Sequence, residues 1–119
     1  MTLDKKKLGA FGEAAAAKFL KKSGHTILAR NYACPLGEID LICFHKGCII
    51  FVEVKTLSDD FASDPEEHIN PAKQRKLHKI ARHWLAAKRQ PDCAYRFDAV
   101  SVIVPPVGEP RVRDRKSVV

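Results

Sequence analysis

Residues 37–56 read GEIDLICFHKGCIIFVEVKT, two apolar runs around a Lys46-Gly47 pair. A glycine at the second position of a two-residue loop is a strong hairpin signal. With that loop, His45 pairs with Cys48, Ile42 with Phe51, Asp40 with Glu53 and Glu38 with Lys55. Strand side chains alternate, so Glu38, Asp40, Glu53 and Lys55 are expected on one face. Ile39, Leu41, Cys43, Ile50, Val52 and Val54 then form the opposite, core face. Toward the turn the charged face becomes apolar, with Ile42, Phe44, Ile49 and Phe51. Both faces of the hairpin are therefore expected to be largely buried.

This arrangement sets an electrostatic problem. Like charges opposite one another weaken a ladder, and burying unpaired charge is costly. Two adjoining carboxylates need a proton, a cationic side chain or a metal ion. A hard divalent cation such as magnesium takes carboxylate oxygens and keeps several waters. A lysine beside it could position water or stabilise a developing negative charge.

The rest of the chain bounds the setting. Its 119 residues make one domain. With 45% hydrophobic and 29% charged residues, the composition is that of a soluble globular protein. A formal net charge of +7 fits either an anionic partner, nucleic acid foremost, or a generally basic surface. The N-terminal stretch MTLDKKKLGAFGEAAAAKFL has no continuous apolar core, so no signal peptide and no membrane span are expected. Cys34, Cys43, Cys48 and Cys93 lack paired CxxC spacing. They read as reduced thiols of a cytoplasmic protein.

Residues 5–22 read as a helix, with Leu8, Phe11, Ala15, Phe19, Ala16 and Leu20 forming its stripe and Gly24 ending it. Glu13 lies between Gly12 and four alanines, small neighbours that allow close approach to another backbone. Residues 25–33 read as a strand, so the first three strands form an antiparallel meander. Residues 56–69 read as an acidic loop, long enough to be a flap or a solvated segment. Residues 70–88 are the clearest helix, with Asn70 as N-cap and Pro71 at the first helical position. Its stripe is Leu77, Ile80, Ala81, Trp84 and Leu85, and Lys73, Arg75, Lys76, Lys79, Arg82 and His83 make much of the remainder basic. That surface suits phosphate contact or simple solvation. Residues 95–104 form a further strand, with Asp98 as a structural partner for a basic residue. The tail RVRDRKSVV is either an edge strand or irregular. The order of elements implies an α/β fold with a mixed sheet flanked by helices.

Three segments, LGAFGEAAAAKFL, NYACPLGEIDLIC and IIFVEVKT, together resemble the YraN-like family of small bacterial proteins of unknown activity. More broadly, Glu13, the Gly37-Glu38-Ile39-Asp40-Leu41 strand and the Phe51-Val52-Glu53-Val54-Lys55 strand resemble the PD-(D/E)XK nuclease superfamily. The resemblance runs from about Leu8 to Val104. It implies a restriction-endonuclease-like core of the Holliday-junction-resolvase kind, and a metal-dependent nuclease acting on DNA, branched or single-stranded. Asp40, Glu53 and the Val54 carbonyl would bind Mg2+ or Mn2+, Glu13 would complete the acidic cluster, and Lys55 would orient the attacking water. Lys73, Gln74, Lys76 and Lys79 are the candidate nucleic-acid contacts, and a homodimer is the expected assembly if there is one. Two alternatives stay open: a nucleic-acid-binding or assembly module with the same fold and little cleavage, and a purely structural ion-pair network in which Lys55 and Arg30 neutralise the acids.

Overall fold

Lys46 and Gly47 both have positive φ, 50° and 78°, the conformation of a two-residue hairpin turn whose twist matches its strands. The computed structural model describes residues 5–58 and 71–118. The hairpin joins β2 (Gly37–His45) to β3 (Cys48–Leu57). Before it come α1 (Lys5–Lys22) and β1 (Thr26–Cys34); after it come α2 (Pro71–Ala87), β4 (Tyr95–Ile103) and β5 (Arg111–Arg115). The strands form one mixed sheet in the order β1-β2-β3-β4-β5. Among the described residues only the β3–β4 pair is parallel, and α2 lies in the connection between them, as a parallel pair requires. The tail is thus an edge strand. Thr56 and Leu57 belong to β3, and the rest of the anticipated acidic loop from residue 59, with the Asn70 cap, lies outside the described residues.

Among the described residues, each face of the sheet carries one helix. On one side, Ala16, Ala17 and Leu20 of α1 pack on Leu41, Cys43, Ile50, Val52, Val100 and Val102. On the other, Ile80, Ala81, Trp84 and Leu85 of α2 pack on Ile39, Ile42, Ile49, Phe51 and Phe97. Phe51 anchors the second layer, its ring 5.9 Å from that of Trp84 and 5.5 Å from that of Phe97.

The stripe of α1 is rotated from the one anticipated. Phe11 stays 43% exposed, while Gly12, Ala16 and Ala17 are buried. Small residues let the helix lie closer to the sheet than a phenylalanine would. At Gly12 the contact is tight enough that an added Cβ would overlap the Thr56 side chain, 2.8 Å from its Cβ. Gly9, by contrast, has open space at the same atom. Gly12→Ala is expected to destabilise the fold by about 1–3 kcal/mol, and Gly9→Ala to stabilise it by about 0.5–1 kcal/mol. Urea unfolding of both variants checks this. Equal effects at the two glycines would refute the close approach, and Thr56→Ala should partly rescue Gly12→Ala.

A second difference concerns β2. Ile39 lies in the α2 layer with Ile42, while Leu41 and Cys43 lie in the α1 layer. Alternation is therefore interrupted between Ile39 and Ile42, and Ile39 does not share a face with Leu41. The neighbouring strand is irregular too: its register with β2 shifts between Ile27 and Ala29, and Asn31 takes a left-handed φ of 51°, which asparagine tolerates. Phe44 is 39% exposed, so the turn end of the hairpin is less buried than its apolar sequence implies.

Candidate active site

The β2–β3 ladder follows the anticipated register from His45–Cys48 to Leu41–Val52 and stops there. Beyond that point β2 continues against β1, through Ala33–Glu38 and Cys34–Gly37. Meanwhile β3 continues against β4, through Glu53–Ala99 and Lys55–Ser101. The two strands splay, and the anticipated pairs Asp40–Glu53 and Glu38–Lys55 are not part of the ladder.

Asp40 occupies the gap. Its Oδ2 accepts a hydrogen bond from the Val54 N–H at 2.7 Å, taking the place of a lost strand partner. In an extended strand a residue's N–H and C=O point the same way, so the Val54 carbonyl opens onto the same gap. Burial pushes the Asp40 carboxyl above its usual range, the Val54 N–H opposes this, and Glu13, Glu53 and Glu38 each push it further up. Three of the four acids singled out in the sequence thus act on the fourth, Asp40.

Each neighbour is held by a different element. Glu13 projects from α1 and is half-buried. The Asn31 side-chain amide, oriented to satisfy both groups, donates to Glu13 Oε2 at 3.0 Å and Oε1 at 3.1 Å. Asn31 is a site residue that the sequence reading passed over; the only trace is a polar Arg30-Asn31 step inside an otherwise alternating strand. Glu53 is exposed and makes an ion pair with Lys73 of α2 at 3.3 Å. Val54 packs toward α1 and Phe51 toward α2, so alternation puts Glu53 and Lys55 together on the α2 side. Lys55 is exposed. Neither Lys55 nor Arg30 forms an ion pair with any of these acids; among the described residues the pairs are Lys73–Glu53 and Arg96–Asp98. The structural network built on Lys55 and Arg30 is therefore not what this fold contains.

The site opens into a cleft of about 580 Å³ between β2, β3 and the first turns of α2. Glu38, Asp40 and Glu53 line one wall, and Lys73 and Lys76 the other. The Lys76 stem lies over Gly37, whose φ of 144° and lack of a side chain leave room for it. Gln74 and Lys79 are outside the lining, so only two of the four anticipated phosphate contacts face the acids.

Among the described residues, no group of three or more His, Cys, Asp or Glu side chains is arranged to hold a metal ion. A magnesium-type cation does not require one, since it commonly binds through one or two carboxylates and keeps its waters. The donors around the gap are hard oxygens: the second oxygen of Asp40, the Val54 carbonyl and the Glu53 carboxylate. Their chemistry fits such an ion. The four cysteines are free and take no part.

A model described as "Uncharacterised protein family UPF0102" matches residues 12–102. A UPF0102 protein of Geotalea daltonii is 41% identical over 113 residues, covering 95% of this chain and 89% of the relative. One from Caldicellulosiruptor saccharolyticus is 43% identical over 100 residues, covering 84% and 85%. One from Clostridium acetobutylicum is 44% identical over 99 residues, covering 83% and 81%. No helix among the described residues is long and apolar enough to cross a membrane.

Proposed function

Because the chain belongs to the uncharacterised protein family UPF0102, whose name assigns no activity, the site itself must supply the chemistry, and we propose that it is a metal-dependent nuclease that hydrolyses phosphodiester bonds in DNA. The observation that carries this reading is the splayed gap, where Asp40 is fixed by the Val54 N–H under the charge of Glu13, Glu38 and Glu53. An acid raised by burial and by other acids is a place where a cation gains most. The fold is then read as restriction-endonuclease-like, which agrees with a mixed sheet between two helices.

Asp40, Glu53 and the Val54 carbonyl would hold magnesium or manganese, with Glu13 deepening the negative field. Bound there, the ion would polarise a phosphoryl oxygen and make a neighbouring water more acidic. Lys55, on the face of Glu53, would orient the attacking water and offset charge that builds up on the phosphate. Lys73 and Lys76, on the opposite wall of the cleft, would receive the substrate's phosphates. For Glu53 to hold the ion, its pair with Lys73 would have to open.

A second reading rests on that same pair. With Glu53 neutralised by Lys73, the fold could serve as a nucleic-acid-binding or assembly module with little cleavage. Assays on linear, supercoiled, single-stranded and four-way-junction DNA with magnesium or manganese separate the two. The nuclease reading expects metal-dependent cleavage of at least one substrate, abolished by a chelator. Tight DNA binding with no cleavage of any of them would establish the second reading instead.

A further inference from the structure

The edge strand β5 carries arginine at alternate positions, Arg111, Arg113 and Arg115, with Val112 and Asp114 between them. Its register places these arginines. Arg115 pairs with Ala99, Arg113 with Ser101 and Arg111 with Ile103. One strand further in, Ala99 pairs with Glu53, Ser101 with Lys55 and Ile103 with Leu57. Paired residues share a face. Glu53, Ala99 and Arg115 therefore form one row across the sheet, and Lys55, Ser101 and Arg113 the next. Val112 packs into the α1 layer, which sends the three arginines to the other face, the one that bears Glu53 and Lys55.

From these rows we infer that the β5 arginine column is a phosphate-backbone contact that carries a nucleic-acid strand across the sheet face toward Lys55. At about 4.8 Å per strand, the Arg113 Cα lies roughly 10 Å from that of Lys55. Along β5 successive arginines recur about every 6.8 Å, a regular line of cations with planar donor forks suited to phosphate. The partner is chosen by charge: the chain is formally +7, and the column sets three cations on the sheet face that bears Lys55. The strand is also firmly seated. Buried Asp98 accepts hydrogen bonds from Arg96 Nε at 3.0 Å and from the Ser117 N–H at 3.0 Å, and the Val118 N–H donates to the Phe97 carbonyl at 2.9 Å. The arginines therefore sit on fixed backbone. Arg111 and Arg115 also interact within the chain; Arg113 is exposed and is the member to substitute first. Charged residues on an edge strand also deter edge-to-edge pairing, so the experiment must separate guarding from binding.

The inference rests on the nucleic-acid reading of the site, and the test keeps the two apart. Fluorescence anisotropy of labelled single-stranded and duplex DNA would be followed over a salt series, with chelator present, for the full chain, Arg113→Gln and Arg113→Lys. Arg113→Gln is expected to weaken both substrates roughly tenfold at low salt and to reduce the slope of log affinity against log salt by about 0.7–0.9. Arg113→Lys should recover most of the loss. Native binding that Arg113→Gln leaves unchanged in affinity and slope would overturn the column and leave the nuclease reading intact. So would self-association of Arg113→Gln with unchanged DNA binding, which would make the arginine an edge guard. Competition by polyglutamate as effective as that by DNA would reassign the face to acidic proteins. Absence of native binding to any DNA at low salt would overturn both proposals.

Discussion

Asp40→Asn is expected to lower magnesium and manganese affinity by at least about tenfold to a hundredfold and to abolish cleavage, while making the metal-free protein more stable at neutral pH. Asparagine keeps an oxygen to accept the Val54 N–H, so the gap stays bridged. What it removes is a charge that the fold disfavours. The folded Asp40 carboxyl titrates above the ordinary aspartate range, first because it is buried and then because Glu13, Glu53 and Glu38 are near. For an acid raised in this way the folded state holds the proton more tightly than the unfolded state. Stability therefore falls as pH rises from about the unfolded value through the folded one, and the penalty is complete once the pH has passed the folded value. The melting-temperature advantage of Asp40→Asn should be largest near neutrality and vanish in acid. Saturating magnesium should reverse the order by stabilising only the native chain. Calorimetric titration and thermal melts from pH 3 to pH 8 measure both effects. Equal metal affinity in the two proteins would remove Asp40 from the site.

Lys55→Ala should separate binding from chemistry. Its ammonium is exposed and forms no ion pair among the described residues, so its loss leaves stability nearly unchanged. It is not an oxygen donor, so metal affinity should hold or rise slightly as a nearby positive charge disappears. The cleavage rate should fall about a hundredfold to a thousandfold, the usual cost of deleting a group that stabilises transition-state charge. Arginine keeps the charge but not the compact ammonium, and Lys55→Arg should recover only part of the rate. Single-turnover cleavage at saturating metal gives the comparison. A Lys55→Ala protein as fast as the native chain would assign Lys55 no role in the reaction.

Most elements of the fold were legible because each is written locally. Lys46-Gly47 fixes a turn, alternation marks the strands, and Pro71 with the Leu77-to-Leu85 stripe marks α2. The hairpin register was correct for every residue pair that the ladder retains. That Glu13, Glu38 and Glu53 gather near Asp40 was legible, and the geometry of the gap was not. Alternation assumes that two strands stay paired, and nothing in EIDL or VEVK announces that one strand turns to β1 and the other to β4. The splay places Asp40 beside Val54 and moves Ile39 to the α2 layer. The docking face of α1 was missed for a related reason: periodicity weighs large apolar residues, whereas the surface used is that of Gly12, Ala16 and Ala17, chosen by distance of approach. Asn31 was invisible because its part depends on Glu13, which lies on a different element.

The β3–β4 pair also shapes how the chain reaches its native state. The three-strand meander of residues 26–57 closes through short connections, so the acidic gap can be assembled early. Strand β3 then waits for a partner that begins only at Tyr95, and such a distant parallel pairing is slow to form. In that interval Ile49, Ile50, Phe51 and Val52, all buried in the finished sheet, present an unpaired apolar edge. Newly made chains are most prone to aggregate at this stage, and β5 can add its arginines only after β4 has docked. Synthesis thus delivers the acids first and the far cationic edge last, so an incomplete chain carries the acidic gap without the arginine column.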